Sequence, residues 1–175
     1  MSKENQTNIF IVEDNNVFTL ALKADIETTF KNRSIKISSF ETGEACMEQF
    51  KNEKADVVIL DYNLNSQIPD AANGIKVLDW IKKESPDSSV IMLTSEDSVD
   101  IASKSFKHGA SDYVVKTETK FRKINYSLAN LFKVIEAKNE AKKYKRMMFT
   151  VFAWIVALLV TITIIKIVNP TLLSS

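Results

Sequence analysis

Five short apolar runs recur along the first two thirds of the chain, and four of them end in polar residues. Residues 7–12 run into Glu13-Asp14; Ile35, Ile37 and Phe40 alternate with polar positions; Val57-Val58-Ile59-Leu60 runs into Asp61; 90–93 run into Thr94-Ser95; Tyr113-Val114-Val115 runs into Lys116. Runs of this length, rich in β-branched residues, predict strands. The unbroken apolarity of 57–60 predicts a strand covered on both faces of a parallel sheet. Between the runs, apolar residues return at helical spacing. Val17, Leu20, Ala21, Ala24 and Ile26 have roughly helical spacing and predict a helix over 16–30. A second helix opens at Thr42-Gly43-Glu44-Ala45 and is expected to bury Ala45, Met47 and Phe50. A third carries Ile75, Val77, Leu78 and Ile81 and stops before Pro86, and a fourth covers 99–108 with Gly109 as its C-cap. Strand alternating with helix predicts an α/β fold: right-handed crossovers and a five-stranded parallel sheet with helices on both faces.

After Gly109 there is no Gly or Pro until Pro170. Phe121, Ile124, Leu128, Leu131 and Ile135 keep three- and four-residue spacing, so a fifth helix is expected to pack on the sheet and continue without a hinge. Beyond it, Val134, Ala137, Ala141, Tyr144 and Met148 form a second, weaker stripe. That stripe fits either a short parallel coiled coil joining two chains or an exposed linker helix. Residues 147–165 then carry no charge and are rich in Val, Ile, Leu and Phe. At about 1.5 Å per residue this segment reaches about 28 Å, close to the hydrocarbon core of a bilayer. Its all-round apolarity predicts a single transmembrane helix over 147–168, and Ala153 and Ala157 offer a small-residue pair to a second helix.

The net charge of +1 conceals a split: residues 1–118 carry −7 and residues 119–146 carry +7. Lys133, Lys138, Lys142, Lys143, Lys145 and Arg146 flank the apolar segment. A basic excess on one side of a span places that side, and so the N-terminal domain, in the cytoplasm and suits anionic membrane lipid. Lys166 is expected to snorkel to the far interface, and 169–175 to form a short outer tail. The expected organisation is a domain over 1–132, a basic juxtamembrane helix over 133–146, the span over 147–168 and the tail. A lone cysteine, Cys46, excludes an intrachain disulfide and fits a reducing compartment. His108, the single histidine, lies in an unrelated segment, which argues against a Cys–His catalytic pair.

Glu13, Asp14 and Asp61 all stand at C-terminal strand ends, the edge of an open α/β sheet where ligands gather. Three carboxylates brought together repel, and a divalent cation relieves them. An oxygen-rich, partly hydrated site suits Mg²⁺. Lys116 and Thr94 reach the same edge. Acids with a metal, an ammonium and a hydroxyl make a site for a phosphoryl group. No Gly-rich phosphate loop is present, so nucleotide binding is not expected.

Four segments in order carry a family resemblance: Phe10-Ile11-Val12-Glu13-Asp14-Asn15, Val58-Ile59-Leu60-Asp61, Ile91-Met92-Leu93-Thr94-Ser95, and Gly109-Ala110-Ser111-Asp112-Tyr113-Val114-Val115-Lys116. Over about residues 8–132 the chain resembles the receiver domains of two-component response regulators. The resemblance implies the flavodoxin-like strand order 2-1-3-4-5. It implies that Asp61 accepts a phosphoryl group from a sensor histidine kinase or histidine phosphotransfer protein. Glu13, Asp14, Asp61 and the backbone carbonyl of Asn63 would hold Mg²⁺. Thr94 and Lys116 would bind phosphoryl oxygens, and Tyr113 would swing inward as Thr94 moves. Asn63 and Glu96 would tune hydrolysis of the acyl phosphate, with a lifetime nearer minutes than hours. Output is expected through the helix 4, strand 5 and helix 5 face, to a homodimer partner or an effector that the sequence does not name.

The chain departs from the family in three places. Asn65 stands where Pro is usual, the 63–73 loop is about five residues longer than common and contains Pro69, and Thr117 follows Lys116 where Pro is frequent. A cis bond to Thr117 would cost about 2.5–4 kcal/mol, so trans is expected unless strain is held there. The long loop beside the acceptor is expected to influence which kinase docks. No DNA-binding segment is recognisable and no nucleic-acid partner is expected. Two other readings stay open: a membrane-tethered binding module that never takes phosphate, and a phosphatase of the haloacid-dehalogenase type. The second wants an Asp where Asn63 stands. The expected protein is a signalling phosphoacceptor, not an enzyme.

Overall fold

The computed structural model describes residues 6–64 and 73–168, the last four by backbone alone. Asn65, Pro69, the Lys166 side chain and the 169–175 tail lie outside the described residues. Ten elements follow in order: β1 Thr7–Val12, α1 Asn16–Thr29, β2 Ile35–Phe40, α2 Gly43–Phe50, β3 Val57–Asp61, α3 Gly74–Glu84, β4 Ser89–Thr94, α4 Val99–Lys107, β5 Asp112–Val115 and α5 Lys120–Val168. The chain divides into two compact units, Met1–Phe132 and Lys133–Ser175.

In the first unit all five strands are parallel, in the order β2-β1-β3-β4-β5. β3 is central and wholly buried, as its unbroken apolarity requires. Side chains alternate between the two sheet faces. Phe10, Val12, Val58, Leu60, Val90 and Met92 pack with Cys46, Phe50, Leu78 and Ile81 from α2 and α3. Phe10 meets Phe40 and Phe50 edge-on, with ring centroids 5.0 and 5.2 Å apart. Each such pair adds about 0.5–1.5 kcal/mol beyond burial. α1 and α5 are tied together by the Asn125 Nδ2 hydrogen bond to Asp25 (2.7 Å) and by Phe30 against Phe132 (5.1 Å).

Side-chain oxygens of Asn15, Thr42, Asn73 and Ser98 cap the N-termini of α1 to α4. His108 is the C-cap of α4, and Gly109 follows at φ 95°, where a side chain would be strained. No cis peptide bond occurs among the described residues, so Lys116–Thr117 is trans.

In two helices the buried face is not the one that apolar spacing alone picks out. In α1 the buried residues are Thr19, Leu22 and Ile26, whereas Val17, Leu20, Ala21 and Ala24 are exposed. The sequence offers two apolar stripes there, and the one containing Leu22 and Ile26 meets the sheet. In α2, Cys46 rather than Ala45 turns inward beside Phe50, and Met47 is half-buried. Ile124 and Leu128 of α5 are buried as the stripe predicts, joined by Phe132, while Phe121, Leu131 and Ile135 are half-buried.

In the second unit the helix carries an apolar stretch of mean hydropathy 2.4, none of it buried and long enough to cross a membrane. Thr150, Thr161 and Thr163 donate their hydroxyls to carbonyls three residues back, so these polar groups are satisfied within the helix.

Candidate functional site

The strand register brings the chemistry to one edge. Val12 pairs with Leu60, Asp61 with Leu93 and Thr94 with Val115, so Glu13, Asp61, Thr94 and Lys116 finish neighbouring strands or follow them directly. Glu13, Asp61 and Thr94 are 2 %, 3 % and 0 % exposed, and Asp14 is open to solvent. Carboxylate oxygens of Glu13, Asp14 and Asp61 lie within 4.8 Å of one another.

Lys116 answers part of this negative charge. Its Nζ donates to Glu13 Oε2 at 2.6 Å and stands 3.0 Å from Asp61 Oδ1. The second contact is coulombic only, because Asp61 Oδ1 is buried and accepts no hydrogen bond. Burial, and then the neighbouring Asp61 charge, push the Glu13 carboxyl above its ordinary pKa; Lys116 and the Asn15 N–H pull it back only in part. One ammonium therefore leaves the acid cluster under-compensated. The buried Asp61 carboxylate, the repelling Glu13 and the all-oxygen donor set fit a hard divalent cation.

Thr94 Oγ1 accepts from the Glu96 N–H at 3.1 Å, and the Tyr113 hydroxyl donates to the Glu96 carbonyl at 2.8 Å. The exposed Glu96 thus ties Thr94 to the half-buried Tyr113 through its backbone. Asn63 is half-buried, in the turn that follows Asp61.

Two residues unremarked in the sequence help to shape the site. Phe18, in the first turn of α1, sets its ring 5.0 Å from Lys116 Nζ and 5.6 Å from the Phe121 ring. Lys120 Nζ caps both rings. These are cation–π distances. Gly74 opens α3 against the acceptor strand: an added Cβ would fall 2.4 Å from the Asp61 carbonyl oxygen. Its N–H donates to the Tyr62 carbonyl, which ties the two ends of the 63–73 loop together. An aromatic one turn past the acid pair was a signal available for Phe18. A glycine at a helix start does not by itself announce a close approach.

Residues 9–125, more than half of the chain, match the response regulator receiver domain family. Regulatory protein LuxO of Vibrio cholerae is 33 % identical over 82 residues, which is 47 % of this chain and 17 % of that protein. The chain therefore matches less than a fifth of that relative's length. The crystal structure of the signal receiver domain of a LuxO repressor protein from Vibrio parahaemolyticus superposes with a TM-score of 0.65 at 28 % identity, covering 77 % of this chain and 95 % of that one. A Burkholderia pseudomallei response regulator, crystallised with a phosphorylated aspartic acid, a calcium ion and citrate, shares the fold with a TM-score of 0.60 at 20 % identity, covering 75 % and 72 %. Strand order, the acid cluster at the strand ends and the family match agree: the chain belongs to the response regulator receiver family.

Proposed function

We propose that this protein is a membrane-anchored response regulator that takes a phosphoryl group on Asp61 and signals at the membrane surface. The observation that carries the reading is the buried Asp61 carboxylate, 3.0 Å from Lys116 Nζ and clustered with Glu13 and Asp14 at the sheet edge. In the forward step the Asp61 carboxylate attacks the phosphorus of a phosphohistidine on a kinase or phosphotransfer partner. The P–N bond breaks as the new P–O bond forms, and the partner's imidazole keeps the N–P electron pair. Glu13, Asp14, Asp61 and the Asn63 carbonyl would hold Mg²⁺, which would supply positive charge for the transferring oxygens. Lys116 is close enough to pair with one of them. Thr94 turns its hydroxyl to another.

That turn reaches the Glu96 backbone, and with it Tyr113, because all three are already bonded in series. The local charge change thus biases the face formed by α4, β5 and the start of α5. The amide of Asn63 and the carboxylate of Glu96 are groups that can orient water toward the acyl phosphate, which favours a short-lived signal. The reaction is a phosphoryl exchange on the protein itself, with no small-molecule turnover expected.

The apolar stretch of α5 supports the anchor, and the basic 133–146 segment supports a cytoplasmic N-terminal side beside anionic lipid. The same basic excess supports no nucleic-acid role, since it abuts the span. The test uses the full chain in isolated membranes. Alkaline carbonate washing should leave it in the pellet, and a protease added to the cytoplasmic face should digest the receiver. Release into the supernatant, or a receiver protected from that protease, would defeat the anchored reading.

A further inference from the structure

The helix of the second unit carries an apolar seam with a period of its own. Val134, Ala137, Ala141, Tyr144 and Met148 recur in alternating steps of three and four, and Val151, Ile155, Leu158 and Ile162 continue the same steps. All nine are exposed. Within 133–147 the other positions are charged or polar, apart from Ile135 and Met147, so there the seam is specific rather than a by-product of general apolarity. The repeat of 3.5 runs for about four heptads, and the two over 134–147 stand out against charged and polar neighbours.

We infer that this seam packs on the same seam of a second copy, as a parallel two-stranded coiled coil that begins at Val134 and runs on into the apolar segment. Its first-type positions are Val134, Ala141, Met148, Ile155 and Ile162, and its second-type positions are Ala137, Tyr144, Val151 and Leu158. Val134, Ile155 and Ile162 are β-branched at the first type and Leu158 stands at the second, residues that favour two parallel strands at those positions. Glu140 and Lys145 occupy flanking positions that meet across a parallel pair with opposite charge; Lys133 and Lys138 meet with like charge in solvent, where screening weakens it. The parallel arrangement rests on the membrane-anchored reading, in which every copy enters the bilayer in the same direction. The threonines at 150, 161 and 163 fall off the seam and are satisfied within their own helix. Ala153 and Ala157 lie on the opposite side, so a small-residue crossing there is a distinguishable competitor.

The native cysteine makes a scan direct. Cys46 is fully buried, and burial pushes its thiol pKa up to about 12, so it stays silent toward oxidants. Single cysteines are placed at each position from 133 to 148, and at 151, 153, 155, 157, 158 and 162, in the full chain. Membranes are treated with copper phenanthroline, and wild type is the blank. Disulfide-linked dimer should peak several-fold at 134, 137, 141, 144, 148, 151, 155, 158 and 162, with troughs at 136, 139, 143 and 153. Cross-linking that is uniform, absent, or greatest at 153 and 157 would overturn the proposal. Phosphorylation by acetyl phosphate is measured on the same membranes. A phosphoryl adduct without periodic cross-links removes the dimer alone; periodic cross-links without an adduct remove the phosphoacceptor and leave the dimer standing.

Discussion

Replacing Gly74 by Ala sets two effects of opposite sign against each other. Alanine at the first position of α3 improves helix propensity, by at most about 1 kcal/mol over glycine. The new Cβ, however, would sit 2.4 Å from the Asp61 carbonyl oxygen and 2.7 Å from Tyr62 Cα, where ordinary contact begins at 3.4 Å. Both obstacles are backbone, so no rotamer relieves them. The start of α3 or the end of β3 must move by about 1 Å, and overpacking of this kind costs about 1–3 kcal/mol, occasionally more. Because the clash is with main chain, the upper part of that range applies. The expected net loss is about 2 kcal/mol, or a fall of about 5–10 °C in Tm. The strand end that moves carries the phosphoacceptor, and a misplacement of about 1 Å can cost on the order of 100-fold in rate. The assay is thermal melting of the full chain in detergent, together with the rate of phosphoryl uptake from acetyl phosphate followed by intact mass. Gly109→Ala is the contrast: there the Cβ meets only the flexible Lys82 side chain and the cost is backbone strain, so Tm should fall while uptake is unchanged. A Gly74→Ala protein with unchanged or higher Tm and normal uptake would show that β3 and α3 are not wedged together as described.

Glu13→Gln should raise Tm in EDTA at neutral pH, because it removes a buried carboxylate whose pKa is held up by burial and Asp61. That gain should fade as the pH falls through the raised pKa of Glu13 and vanish below 4.5, where wild-type Glu13 is protonated in both folded and unfolded chains. The same variant should lose the Mg²⁺-dependent rise in Tm; a gain that persists at pH 4, or Mg²⁺ stabilisation equal to wild type, would contradict the site's electrostatics. Phe18→Leu keeps an apolar side chain but removes the ring 5.0 Å from Lys116 Nζ. Phosphoryl uptake should slow by roughly three- to ten-fold, in keeping with a cation–π contact of about 1 kcal/mol, and Phe18→Tyr should restore it. Equal rates for the Leu and Tyr variants would assign the ring to packing alone.

The sheet and its chemistry were legible because strand ends carry both signals at once. Val57 to Leu60 had to be a buried parallel strand, and the residue that follows it had to stand on the ligand edge. The same logic located Glu13, Thr94 and Lys116, and the fold places them together. The α1 face was less legible. Val17, Leu20, Ala21 and Ala24 repeat as regularly as Thr19, Leu22 and Ile26, so period alone does not decide between them, and the structure buries the second set. In α2 the inward position went to Cys46 over Ala45, a shift of one residue that eight residues of helix cannot fix by pattern. Phe18 and Gly74 were hidden for another reason. Their roles depend on what α5 and β3 bring to them from far along the chain, which no local spacing records.

The most direct measurement locates the phosphoryl group. The full chain, in detergent with Mg²⁺ and acetyl phosphate, is trapped by borohydride, which reduces an aspartyl phosphate to homoserine, and the modified residue is read by peptide mass spectrometry. Homoserine at position 61, absent with EDTA and absent in Asp61→Asn, is the predicted result. A chain that binds Mg²⁺ yet carries no homoserine, or carries it at another aspartate, would contradict the assignment of Asp61 as phosphoacceptor.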